Sequence, residues 1–122
     1  MKIGDLLEIY YRGFARKSGW DTVISDDFEF TGGNHLARSV PLIGKPAYQQ
    51  IIARYSRLFT DMSVTDTLVA GDRAVARVRY EYAFPNGKVA SGDVIECWTI
   101  RNGALSSLTI FFDTAGFEKL IS

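Results

Sequence analysis

A chain of 122 residues is long enough for one domain with a single core, and its 47% hydrophobic and 13% aromatic content exclude a disordered polypeptide. Lys plus Arg and Asp plus Glu are equal at 14 each, which leaves no net field to draw in nucleic acid or an anionic membrane. The only cysteine, Cys97, excludes an internal disulfide framework and a cysteine-rich metal site.

Charges at Asp5 and Glu8 precede any apolar run of signal-peptide length, and no stretch approaches a membrane span, so a cytoplasmic protein is expected. Ile3, Leu7, Tyr10 and Phe14 form one apolar stripe at helical spacing, and Ser18-Gly19 stops that helix. Trp20 to Ile24 reads as a short helical turn, and Phe28-Glu29-Phe30 as a short strand ended by Gly32-Gly33. The loop from Asn34 to Lys45 holds the only histidine, His35. A second helix opens at Gly44-Lys45-Pro46, with Tyr48, Ile51, Ile52, Tyr55 and Phe59 on its apolar side and Asp61 at its end.

From Met62 to Asp113 the chain reads as four consecutive strands. Gly71-Asp72, Asn86-Gly87 and Asn102-Gly103 mark the turns, because residues that tolerate positive φ are the strongest hairpin signal. Three two-residue loops set the register by counting. They place Asp66, Arg77, Glu96 and Thr109 in one cross-strand row, with Arg79, Val94 and Phe111 in the next, on a face that also carries Trp98 and Asp113. The opposite face carries Val78, Tyr80, Ile95, Ile110 and Phe112, the expected centre of a sheet-to-sheet homodimer. A single bulge would exchange the faces of everything beyond it. The tail from Thr114 to Ser122 docks Phe117, Leu120 and Ile121 as a last helical turn. Helices bunched toward one end of a mostly antiparallel sheet indicate an α+β fold.

The Trp20-Asp21 step, the acidic Asp26-Asp27-Phe28 strand opening, Gly44 before a proline-started helix, and Gly71-Asp72-Arg73-Ala74-Val75 together resemble the nuclear transport factor 2-like superfamily. The ending Phe111-Phe112-Asp113 is similar to SnoaL-like polyketide cyclase domains. The resemblance implies one SnoaL-like domain over residues 1–122, a curved sheet wrapped around N-terminal helices as a cystatin-like cone with an internal pocket, commonly dimeric. It also implies a catalytic role for Asp113. Ketosteroid isomerase shares the cone. Its oxyanion-hole acid and following aromatic fall about where Glu96 and Trp98 stand, and its first-helix tyrosine falls near Tyr10 or Tyr11. Its catalytic base belongs where this chain has Thr31-Gly32-Gly33, which departs from that pattern.

The candidate catalytic residues are Asp113, Glu96 and His35. Asp113 is either a general base or acid desolvated beside Phe111, or an N-cap for the tail. Glu96 holds a shifted pKa if its row faces inward, and belongs to a surface charge ladder if it faces outward. His35 either swings over the pocket or is solvated. The candidate ligand-binding residues are Tyr10, Tyr55, Arg77, Arg79, Trp98, Thr109 and Phe111: aromatic walls, orienting hydroxyls, and a guanidinium for a carboxylate or enolate oxygen.

A lone histidine without a second imidazole or a thiolate makes no metal set, and no phosphate loop or nucleophile elbow is visible, so neither metal nor cofactor is expected. The expected partner is a small hydrophobic molecule. Cofactor-free acid/base chemistry on a carbonyl or cyclic compound is one reading. A ligand-binding module without chemistry and a dimeric interaction domain are the others.

Overall fold

The computed structural model describes residues 1–32 and 41–121. The elements run α1 (Ile3–Ala15), a 3-10 turn (Trp20–Val23), β1 (Ile24–Gly32), β2 (Leu42–Ile43), α2 (Lys45–Tyr55), β3 (Phe59–Ala70), β4 (Arg73–Ala83), β5 (Val89–Arg101), β6 (Ala104–Phe111) and α3 (Thr114–Ile121). One curved, unclosed sheet has the order β2-β1-β6-β5-β4-β3, antiparallel except where β1 runs parallel to β6. The fold is the expected α+β, nuclear transport factor 2-like one.

The apolar stripe of α1 explains its position. Ile3, Leu6, Leu7, Tyr10, Tyr11 and Phe14 are all buried, and they lie on one side of the helix against the inner face of the sheet. Phe14 reaches the rings of Tyr80 and Phe59, and Tyr10 lies edge-on to Trp98 at 4.6 Å. Lys17, at φ 61°, carries the chain out of α1 and sends its Nζ to the carbonyl oxygens of Ser56 and Phe59, so the ends of α1 and α2 are tied together. On the other side of the core, Tyr48 of α2 packs on Phe28 and Phe30 of β1.

Several boundaries differ from expectation. Phe59 does not extend the second helix but begins β3, and β1 starts four residues early, at Ile24. The loop after β1 contains a two-residue strand, β2, paired with Glu29 and Phe30.

The register differs more consequentially. Pairing holds at Asp66↔Arg77, but a bulge between Val64 and Asp66 then puts Arg79 opposite Ser63. Between β4 and β5 the count is off by one: Arg77 faces Ile95, and Glu96 faces Ala76. Between β5 and β6 the Asn102-Gly103 loop pairs Arg101 with Ala104 as counted, but a bulge between Thr99 and Ile100 puts Glu96 opposite Ile110 and Thr109 opposite Cys97. The expected row of Asp66, Arg77, Glu96 and Thr109 therefore breaks up. Glu96 and Trp98 turn inward, whereas Arg77, Arg79, Thr109 and Phe111 take the outer face. Val78 and Tyr80, expected on an outer dimer face, are buried in the core, and Ile110 and Phe112 turn inward with them. Of that group Ile95 alone stays outside.

Candidate functional site

The helices and the inner face of the sheet enclose a cavity of about 180 Å³. Tyr10 and Phe14 of α1, Tyr48 and Ile52 of α2, and Phe30 and Gly32 of β1 form one side. The sheet closes the other with Tyr80, Tyr82, Val94, Glu96, Leu108 and Ile110. Gly32 is required there. Its φ is +144°, and a Cβ would stand 2.4 Å from the Ile110 side chain, so only glycine lets β1 come this close to β6 at the wall.

Among the described residues Glu96 is the charged side chain of the core, 5% exposed. Its Oε1 accepts a hydrogen bond from the Tyr11 hydroxyl at 2.6 Å and its Oε2 one from the Tyr80 hydroxyl at 2.9 Å. The Tyr11 oxygen in turn accepts from the Trp98 Nε1–H at 2.9 Å. Burial raises the Glu96 carboxyl to about 7, against the lowering effect of the two tyrosine bonds. The same burial, together with the nearby carboxylate, raises Tyr11 and Tyr80 above the ordinary tyrosine range, so both hydroxyls stay protonated as donors.

A second polar pair lines the cavity. The hydroxyls of Tyr10 and Tyr48 lie 2.6 Å apart and share one hydrogen bond, in which either is the donor. Two hydroxyls carry two protons and this bond uses one. Among the described residues no acceptor takes the other. Among the described residues the cavity is therefore a mainly apolar chamber lined by two carboxyl side chains, Glu96, raised to about 7, and Glu118, with one phenolic O–H to spare.

Of the sequence-derived candidates, Tyr10, Tyr55 and Glu96 line this cavity, with Tyr55 half out at the mouth. Trp98 lies behind the wall, 1% exposed, and orients Tyr11 rather than touching the chamber. Arg77 and Arg79 point to the outer surface, where Asp93 pairs with both, at 2.9 and 3.6 Å, and Glu81 with Arg79 at 3.4 Å. Thr109 and Phe111 share that outer face, Phe111 59% exposed.

Asp113 is exposed, and its Oδ1 accepts the Gly116 N–H at 3.0 Å, the N-cap alternative. His35 lies outside the described residues. Counting missed Tyr80 as a carboxylate partner. The resemblance gives Tyr11 only as an alternative to Tyr10, whereas both are used, in separate hydrogen bonds. The available signal was the run Ala76, Val78, Tyr80, Tyr82, whose alternation is continuous with a buried face. Among the described residues no cluster of His, Cys, Asp and Glu is arranged to hold a metal, and no helix is long and apolar enough to cross a membrane.

Comparison with solved structures gives the same fold throughout. A nuclear transport factor 2-like protein of unknown function from Burkholderia pseudomallei K96243 superposes with a TM-score of 0.84 at 19% identity, covering 97% of this chain and 95% of that one. A protein assigned as a SnoaL-like polyketide cyclase from Jannaschia sp. CCS1 gives 0.82 at 18% identity, covering 98% and 90%. TerC, co-crystallised with polyporic acid, gives 0.81 at 21% identity, covering 95% of each chain. No curated protein sequence matches the chain. The sequence model of the SnoaL-like domain matches residues 7–108, most of the chain, and on that match the protein belongs to the SnoaL-like family of nuclear transport factor 2-like proteins.

Proposed function

We propose that the protein is an acid/base enzyme that moves a proton on a small cyclic carbonyl compound, with Glu96 as the proton carrier and no cofactor. The observation that carries this reading is Glu96 itself, a buried carboxyl held by two tyrosines at the wall of an apolar cavity and raised to about 7. A general base is most effective when its pKa lies near the working pH. In the charged form Glu96 takes the proton from carbon next to the carbonyl: the C–H bond breaks, an O–H bond forms on the carboxylate, and the electron pair moves to the carbonyl oxygen. The spare phenolic O–H of the Tyr10–Tyr48 pair then donates to that oxygen, and its low-dielectric setting strengthens the bond. Returning the proton to the same or another carbon gives exchange or isomerisation.

Size narrows the ligand. A cavity of about 150 Å³ holds benzene, so a chamber of about 180 Å³ suits one ring. The polyketide cyclase assignment of one neighbour and the co-crystallisation of another with polyporic acid, a cyclic compound, support a small-molecule reading of the cavity.

Deuterium wash-out tests the chemistry without knowledge of the natural substrate. Wild-type protein is expected to exchange the α-deuterons of 2,2,6,6-tetradeuterocyclohexanone at pH 7 about 10² to 10⁴ times faster than Glu96→Gln. Equal rates in the two proteins, with cyclohexanone nonetheless bound, would leave the second reading, a ligand-binding module. That reading draws on the fact that both Glu96 oxygens already have partners.

A further inference from the structure

The open end of the cone is filled by one side chain from the last helix. Phe117 of α3 lies 5.5 Å from the ring of Tyr82, 5.6 Å from Phe84, 5.5 Å from Phe112 and 6.5 Å from Tyr55. Its neighbours thus come from α2, from β4 and the turn after it, and from the end of β6, the three walls that meet at the mouth. Phe117 itself lines the cavity.

The helix that carries Phe117 is attached at its two ends. At the start, Asp113 accepts the Gly116 N–H through its side chain and the Phe117 N–H through its carbonyl. At the far end, the turn between β4 and β5 reaches across: Asn86 Nδ2 donates to the Leu120 carbonyl at 2.7 Å, and Lys88 Nζ to the Lys119 carbonyl at 3.3 Å.

We propose that α3 is a latched lid and that Phe117 sets the largest molecule the cavity admits. This rests on the cavity being the ligand site. The short connection at Asp113 acts as the hinge, and the two donors from the β4–β5 turn act as the latch. A ligand reaches Glu96 by displacing Phe117 from its aromatic ring of neighbours, and the closed lid then excludes water from the carboxyl. The length that fits beneath Phe117 is the specificity limit. Removing its ring frees the space of one more six-membered ring.

The test uses a graded set of neutral probes, phenol, 2-naphthol and 4-phenylphenol, with binding followed by NMR on the full chain. Wild type is expected to bind the smaller probes and to reject 4-phenylphenol. Phe117→Ala is expected to bind 4-phenylphenol at least tenfold more tightly than wild type does, while Phe117→Leu, which keeps an apolar stopper and guards against a folding defect, falls between them.

Asn86→Asp separates latch from stopper. It keeps the Oδ1 that accepts the Lys88 N–H at 3.0 Å within the turn, but loses the donor to Leu120. It is expected to raise the exchange rate of bound phenol several-fold with the size limit unchanged. Uptake by wild type and by Phe117→Ala with the same size limit would overturn the role of Phe117 and leave the cavity reading standing. Uptake by neither would overturn both, and unchanged exchange in Asn86→Asp would overturn the latch.

Discussion

Burial raises the Glu96 carboxyl from 4.5 to about 7, so the folded chain holds this proton more tightly than the unfolded chain does. The contribution of Glu96 to stability is thus fully present below about pH 4.5 and is lost as pH rises through about 7, the reverse of a salt-bridged carboxylate. At about 1.4 kcal/mol per pKa unit, the difference is worth about 3 kcal/mol. Urea unfolding at pH 5 and pH 8 is expected to show wild type losing about that much more stability than Glu96→Gln, which is neutral at both. Parallel losses in the two proteins would mean that the carboxyl titrates normally in the fold. The tyrosines sharpen the case: Tyr80→Phe removes one stabiliser of the charged form and moves the Glu96 titration further upward, readable as a displaced carboxyl resonance in a ¹³C-NMR titration.

At the level of elements, α1 and α2 were legible because an apolar stripe at helical spacing has one way to bury itself. The tail was legible for the same reason, with Phe117 and Leu120 one turn apart. The register was not. In a two-residue Asn86-Gly87 loop, residue 85 has to donate its N–H to Lys88, and Pro85 has none. The donor is Phe84 instead, bonded to the Lys88 carbonyl at 2.9 Å, while Gly87 at φ +85° donates to the Phe84 carbonyl. The result is a three-residue loop with proline at the second turn position, and one extra residue is enough to flip β4 against β5. That proline was readable.

The bulge between β5 and β6 was not readable from local sequence. The extra residue is Ser106 of β6, which falls between the pairs Thr99–Ser107 and Ile100–Leu105 and turns its hydroxyl to the Thr99 carbonyl at 3.2 Å. Glu96 is therefore singled out by a resemblance and by a row that does not exist, and it is the miscounted turn at Pro85 that sets Tyr80 on the wrong face.

The β1–β6 junction offers a test at this scale. Gly32→Ala adds a methyl group 2.4 Å from Ile110 at a φ that L side chains avoid, so it is expected to cost about 3 kcal/mol and to shrink the cavity. Gly71→Ala, also at positive φ but with nothing within 4 Å, is expected to cost about 1 kcal/mol. Equal losses in urea unfolding would show that close approach at Gly32 contributes nothing beyond backbone preference.

For the whole molecule the asymmetry of the sheet sets the remaining question. All three helices lie on the inner side, and the outer face of β3 to β6 is left with Leu68 at 75% exposure, Phe111 at 59%, Val75 at 40% and Ile95 at 37%. Between them runs a charged ladder, Arg77 and Arg79 with Asp93 and Glu81, which carries both signs on one patch. A patch that carries both signs with apolar side chains around it allows a two-fold axis to set the cations of one copy against the anions of the other. A second copy of this chain is accordingly proposed as its cover. The register decides how to test the homodimer. Val78 and Ile110 turn into the core and the cavity wall, so a charge at either place would damage the fold or the site and report nothing about assembly. Ile95→Arg and Phe111→Arg change only the outer face. Each is expected to convert a dimer of about twice 13.6 kDa to monomer in analytical ultracentrifugation, with the Glu96 titration unchanged. If the dimer survives both substitutions, the copies meet elsewhere. A wild-type chain that sediments as a monomer would leave the outer face bare in solution.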